Sequence, residues 1–267
     1  MAEHGTVFLM YHELALPGRA TCHPEPGYTR YVVSASGFRD QMLRLAGEQW
    51  RLKNVSEATK SFEGKTVCIT FDDGCETDLR CAAPVLRELR AGATFYLTID
   101  FLERPGYLSH SQVRELSAQG FEIGCHSLTH PYLPDVEDHR LREETAGAKD
   151  RLEQIAGVAV EHFSCPGGRW DRRVLEAVKA ANFRTMATSR TGANSANASP
   201  FSLARVAVLS DTSVDSLMRT CRGQGLFQAR LKETARDAAK RLLGNSVYDS
   251  LRGLVLGNKP DTHRDVH

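Results

Sequence analysis

Short apolar runs recur along most of this chain, with helix-period segments set between them. The runs fall at residues 7–11, 67–71, 94–97, 121–125, 162–165, 185–188 and 203–208, and each reads as a strand. The intervening segments are amphipathic. In 36–50, Phe38, Met42 and Leu45 share one helical face, and in 77–90 Leu79, Ala82, Ala83, Leu86 and Leu89 do the same. Segment 109–119 opens with Ser109 and Gln112 at capping-box spacing, and 140–155 and 172–181 complete the set. Strands alternating with helices call for a parallel sheet with helices outside it. About seven repeats favour a barrel over a doubly wound sheet.

The chain has 267 residues, enough for one large domain or one domain with an appendage. Its formal charge is +1, so no global basic excess exists to displace counterions, which argues against nucleic acid as a partner. Seven cysteines, an odd number with no CxxC pair, do not read as a disulfide framework and suit reduced thiols in the cytoplasm. The first residues, Met1 to Gly5, lack the basic and apolar regions of a secretory signal, and no stretch reaches the length of a membrane span. A cytoplasmic location is therefore expected.

The chemistry concentrates where candidate strands end. Run 67–71 leads into Asp72-Asp73-Gly74. Two adjacent carboxylates at a strand mouth are costly unless something pairs with them. Their side chains point in different directions, so one can bind a metal while the other faces a substrate. Run 121–125 leads into His126-Ser127-Leu128-Thr129-His130, whose histidines would share one face if the segment were helical. Asp73, His126 and His130 then form a three-ligand site with open positions, as catalytic zinc or non-haem iron requires, and Asp72 is left to act as a base. Pro166-Gly167-Gly168 follows a third run and His12 follows the first, so four polar clusters meet at one end of the sheet.

Thr70-Phe71-Asp72-Asp73-Gly74 and His126-Ser127-Leu128-Thr129-His130 resemble the first two motifs of the polysaccharide deacetylase family, the NodB-homology carbohydrate esterases. The likeness covers roughly residues 5–210. It implies a distorted (β/α) barrel that removes acetyl groups from N-acetylated sugars with one divalent metal: zinc first, with cobalt, nickel or iron as alternatives. By resemblance Asp72 is the catalytic base, and Asp73, His126 and His130 are the metal ligands. The family's third motif reads Arg-x-Pro-aromatic-Gly. Here Ser164-Cys165-Pro166-Gly167-Gly168 puts Ser164 at the arginine and Gly167 at the aromatic. The loop is still expected to offer backbone N–H groups to an oxyanion. What orients Asp72 is left open. Arg169 is either a substitute for the lost arginine or a solvated charge. Trp170 is either a sugar-stacking wall or a packing residue. Arg205 is either a side chain reaching the site or a structural ion-pair partner. The family's late Leu-x-His histidine is missing. His12 is the candidate replacement acid, or else a structural histidine, with Glu13 a weaker candidate.

Residues 1–212 are read as the catalytic domain and 213–267 as a helical, basic-amphipathic extension with a polar tail. In 226–256 an apolar face lies beside Arg and Lys. This is either an interfacial helix on the inner membrane face or a helix packed on the barrel. The leading functional reading is hydrolytic deacetylation of an N-acetylated sugar, glycan, lipid-linked or nucleotide-linked, in envelope or exopolysaccharide synthesis. The alternatives are a non-catalytic glycan-binding scaffold and a hydrolase of another amide.

Overall fold

The computed structural model describes residues 5–231, apart from 24 and 63. Seven parallel strands carry the fold: β1 (Thr6–Tyr11), β2 (Thr66–Phe71), β3 (Thr94–Leu97), β4 (Glu122–Cys125), β5 (His162–Ser164), β6 (Thr185–Ala187) and β7 (Val206–Ala207). They pair in the order β1-β2-β3-β4-β5-β6. Segment 203–207 then joins the two ends of this sheet. Leu203 bridges to Ala187 of β6, and Val206 pairs with Leu9 of β1. A distorted barrel results, thinly paired between β4 and β5, where only Cys125 and Phe163 pair, and at the single Leu203–Ala187 bridge. Short strands Arg51–Lys53 and Ala193–Asn194 flank β2 and β1. The expected runs thus become strands within one to three residues at each end; the last is the shortest, two residues and one bridge.

Strand alternation sorts the core into two parts. Val7, Leu9, Val67, Ile69, Phe71, Phe95 and Leu97 face outward and pack under the helices. Phe8, Cys68, Tyr96 and Ala187 belong to a separate inner cluster. The outer layer includes α1 (Ala35–Gly47), α2 (Ala83–Glu88), α3 (His110–Ala118), α4 (Ala148–Ala156) and α5 (Arg172–Ala180). The capping box on α3 is made, Ser109 accepting from the Gln112 N–H and Gln112 from the Ser109 N–H. Helix α6 (Val214–Cys221) buries Leu217, Met218 and Cys221 in the outer core. The basic-amphipathic reading of 226–256 lies outside the described residues from 232 onward. Among the described residues no helix is long and apolar enough to cross a membrane.

The N-terminal end of the barrel is closed by a polar plug. Glu122 accepts from the backbone N–H groups of Val55 and Ser56, which open a short helix capped by Asn54. His162 links Ser56, at 2.7 Å, to Thr185, at 2.9 Å. The opposite end stays free for chemistry. Inside, Gly124 lets the buried Tyr96 ring lie against β4: a Cβ at position 124 would sit 2.4 Å from Tyr96 Cδ1. Gly124→Ala is therefore expected to cost about 1–3 kcal/mol in a urea unfolding titration, through overpacking.

Candidate active site

Asp72 and Asp73 follow β2, where the Asp72 N–H still bonds to Tyr11 O of β1. Asp73 then takes a left-handed φ of 79° and Gly74 one of 85°, so the chain turns sharply and the two carboxylates diverge. Asp72 is 2% exposed and Asp73 6%. Two anions at such depth need partners, and they find different ones.

The partner of Asp72 is Arg205, whose side chain is fully buried inside the barrel. Nη1 meets Oδ1 at 2.7 Å and Nη2 meets Oδ2 at 2.8 Å, a two-pronged pair. The other guanidinium N–H bonds go to Thr188 O at 3.0 Å, Ser164 Oγ at 2.7 Å and Thr70 Oγ1 at 3.4 Å. Burial alone would raise the Asp72 pKa; the Arg205 charge overrides it and holds the carboxyl well below the usual range. Of the two readings open for Arg205, the structure supports the one that reaches the site. It also decides against Arg169 as the substitute: its guanidinium lies 3.9 Å from the centre of the Tyr132 ring, a cation–π contact.

Asp73 faces His126 and His130, each with Nε2 3.6 Å from its Oδ1. One ligand atom from each of the three residues lies within 4.8 Å of the others. His126 donates its Nδ1–H to Ser164 O at 2.8 Å, which leaves the Nε2 lone pair aimed at Asp73. Burial lowers the His126 pKa to about 3 and lowers that of His130, so both rings are neutral donors. Burial, with repulsion from Asp72, raises Asp73 to about 6. Its buried Oδ1 has no hydrogen-bond partner. Two neutral imidazoles and an orphaned carboxylate oxygen fit a divalent cation.

The histidines are not on a helix, as their spacing suggested. They sit in an irregular loop after β4, with positive φ at Ser127 (69°) and His130 (64°). A residue the sequence gave no reason to pick, Glu144, holds the loop. Buried completely, it accepts from the N–H groups of Leu128 and Thr129, both at 2.9 Å, and from Thr129 Oγ1 at 2.6 Å. Arg140 pairs with it at 3.0 Å. Thr98 Oγ1 adds a bond to His126 O at 3.1 Å.

His12 is half-buried. Its ring lies 4.7 Å from that of Tyr31, and Nδ1 is buried without a hydrogen-bond partner. Glu13 does not share that position: it is buried in an ion pair with Arg19 and accepts from the Cys22 N–H. In the third loop Pro166 is buried, and Gly167 and Gly168 have positive φ. A Cβ on Gly167 would fall 2.8 Å from Tyr132 Cε1, and one on Gly168 would fall 2.4 Å from Ser189. The Gly168 N–H is donated to Cys165 O and the Arg169 N–H to Pro166 O, so the turn uses both amides itself. This departs from the expected oxyanion role of Gly168. Trp170 is 40% exposed and Tyr132 41%. Tyr132, unremarked in the sequence, stands against the glycine that replaces the third motif's aromatic.

Residues 59–186 match the family model described as polysaccharide deacetylase. A chitooligosaccharide deacetylase of Azorhizobium caulinodans is 32% identical over 46% of this chain and 58% of its own. The structure of a polysaccharide deacetylase from Bacillus cereus superposes with a TM-score of 0.72 at 25% identity, over 81% of this chain and 69% of that one. A deacetylase from Streptococcus pyogenes, solved with acetate, shares the fold at TM-score 0.73 and 22% identity, over 81% of this chain and 98% of that one. The chain spans about half the length of the curated relatives it matches.

Two outcomes test the site. Arg205→Met strands a buried carboxylate and is expected to lose about 3–5 kcal/mol of stability by urea denaturation. Protons compete with a cation for Asp73, whose metal-free pKa is about 6. Zinc affinity by calorimetry should therefore fall about tenfold from pH 7 to pH 5, because Asp73 becomes protonated while His126 stays neutral. An unchanged affinity would remove Asp73 from the ligand set.

Proposed function

We propose that the chain, which matches the polysaccharide deacetylase family model over residues 59–186, is a metal-dependent hydrolase that removes acetyl groups from an N-acetylated sugar. The observation that carries this is the pairing of two unlike carboxylates. Asp72 is held ionised by Arg205, and Asp73 converges with His126 and His130. A divalent cation held by Asp73, His126 and His130 would polarise the acetyl carbonyl and acidify the attacking water.

The chain's own side chains supply the remaining steps. Asp72 accepts the proton of the attacking water. Its low pKa makes it a weak base but keeps it ionised at any working pH, and the two-pronged Arg205 contact fixes its direction. Ser164 Oγ, 3.4 Å from Asp72 Oδ2, lies on the same edge of the carboxylate as Arg205 Nη2. His12, with a buried ring nitrogen unspent in any internal bond, is placed in the proposal as the group that protonates the leaving amine. Tyr132, braced by Arg169, and Trp170 give the mouth an exposed aromatic surface suited to the apolar face of a sugar ring. The substrate name of the Azorhizobium relative, chitooligosaccharide, supports an N-acetylated glycan as the substrate class.

The scaffold alternative rests on the missing third-motif arginine and the absent late histidine; Arg205 meets the first need, which weakens the argument for a retired site. Acetate release is the test, with protein loaded in turn with zinc, cobalt, nickel and iron(II). The substrates are N-acetylglucosamine oligomers, nucleotide-linked and lipid-linked N-acetyl sugars. Asp72→Asn should lower turnover by about 10²–10⁴-fold while metal content is kept. Equal turnover in the variant would exclude Asp72 as the base, and no acetate from any substrate would favour the scaffold or another amide.

A further inference from the structure

Beside the site lies a second cluster that the hydrolysis does not use. Cys75 follows Asp73 by two residues and is fully buried. Its Sγ lies 3.5 Å from Sγ of Cys22, which is partly exposed on the loop after β1. The approach is built by several groups. Glu13 fixes the Cys22 backbone N–H at 2.9 Å. Gly106 accepts from Cys22 Sγ at 3.2 Å, and a Cβ there would come within 3.1 Å of that sulfur. Arg19 Nη2 sits 3.6 Å from Cys22 Sγ, and Tyr28 Oη lies 3.4 Å from Cys75 Sγ.

We propose that Cys22 and Cys75 form a reversible disulfide that ties the first loop to the segment carrying Asp73. Glu13, Cys22 and Cys75 also lie close enough to ligate a cation. Arg19 already neutralises the Glu13 carboxylate and faces Cys22, so the position is occupied by a positive charge. A thiol pair is the better account. The sulfurs need to close from 3.5 Å to about 2.05 Å, a rotamer-scale movement. Contact with Cys75 and the Arg19 guanidinium hold the Cys22 thiol below its usual range, against burial and Glu13.

A peroxide serves as oxidant. Cys22 sulfur attacks one peroxide oxygen, the O–O bond breaks, and the first water leaves, giving a sulfenic acid. Cys75 sulfur then attacks Cys22 sulfur, the S–O bond breaks, and the second water leaves. Two thiol protons and two electrons pass to the peroxide. The partly exposed cysteine thus reacts first and the buried one resolves it. The bridge would fix a loop whose His23 hydrogen-bonds Tyr107 at 2.7 Å.

The test uses the full chain, reduced and then treated with hydrogen peroxide. Remaining thiols are alkylated after denaturation in acid. Expected are loss of two of the seven thiols and a cross-linked tryptic pair, 20–30 with 66–80. Fragmentation should place the bridge on Cys75 rather than on Cys68 of the same peptide. Dithiothreitol should restore both thiols, and the oxidised protein should melt about 5 °C or more higher. Cys22→Ser should abolish the cross-link. Cys75→Ser should leave a Cys22 sulfenic acid that dimedone traps. Seven alkylated thiols after peroxide, or a sulfenic acid on Cys22 of the unmutated chain with no bridge, would overturn the proposal. So would a second equivalent of zinc that shields both thiols. None of these readouts depends on acetate release, so the bridge and the deacetylase reading fail separately.

Discussion

Arg205 spends all five of its N–H groups inside the barrel, two of them on Asp72. A buried ion pair is tolerable only when its remaining hydrogen-bonding capacity is met, and here Thr188, Thr70 and Ser164 meet it. The rest of the site depends on this pair. With Asp72 paired to Arg205, the adjacent Asp73 has no Arg or Lys partner among the described residues. Burial and Asp72 push its pKa to about 6, and its Oδ1 has no partner among the described residues. The chain thus compensates one carboxylate with its own cation and leaves the other for an exogenous one.

Neutral histidines complete the arrangement, and their neutrality has a structural cause. His126 gives its Nδ1 proton to a backbone carbonyl, so only Nε2 remains for a metal. His130 is delivered by a strained loop rather than by a helix. The strain at Ser127 and His130 is held by Glu144, which reaches in from the helical layer and binds three donors at once. A loop carrying two ligands therefore behaves as part of the rigid scaffold. Its position is set by the same helical layer that covers the outer core.

The barrel was readable in the sequence because each strand is covered on both faces and so appears as a short apolar run. Asp72, Asp73, His126 and His130 were readable because they sit next to such runs at strand ends. Arg205 was visible only as a charge before a strand. Nothing local marks a side chain that crosses the barrel from β7 to β2, over 133 residues of sequence. Glu144 was hidden for a related reason: it sits in a helix-like stretch where a glutamate is the ordinary surface residue. The four-residue spacing of the histidines suggested a helix that the positive φ values rule out. Tyr132 went unnoticed because an aromatic is missed at Gly167 only once the two are seen in contact.

Ser164 shows why the departure from the family's third motif is a rearrangement rather than a loss. Its carbonyl accepts from His126 Nδ1, and its hydroxyl accepts from Arg205 Nη2 while lying 3.4 Å from Asp72 Oδ2. One small residue at the end of β5 therefore joins His126 to Arg205 and Asp72. An arginine in its place would put a second guanidinium where Arg205 Nη2 already lies 2.7 Å from Ser164 Oγ. The charge the motif needs has moved to another strand, and the vacated position has taken on the hydrogen bonds that the new arginine requires. That exchange preserves the ionised base, its direction and the neutral imidazole beside it, the three conditions on which the proposed hydrolysis depends.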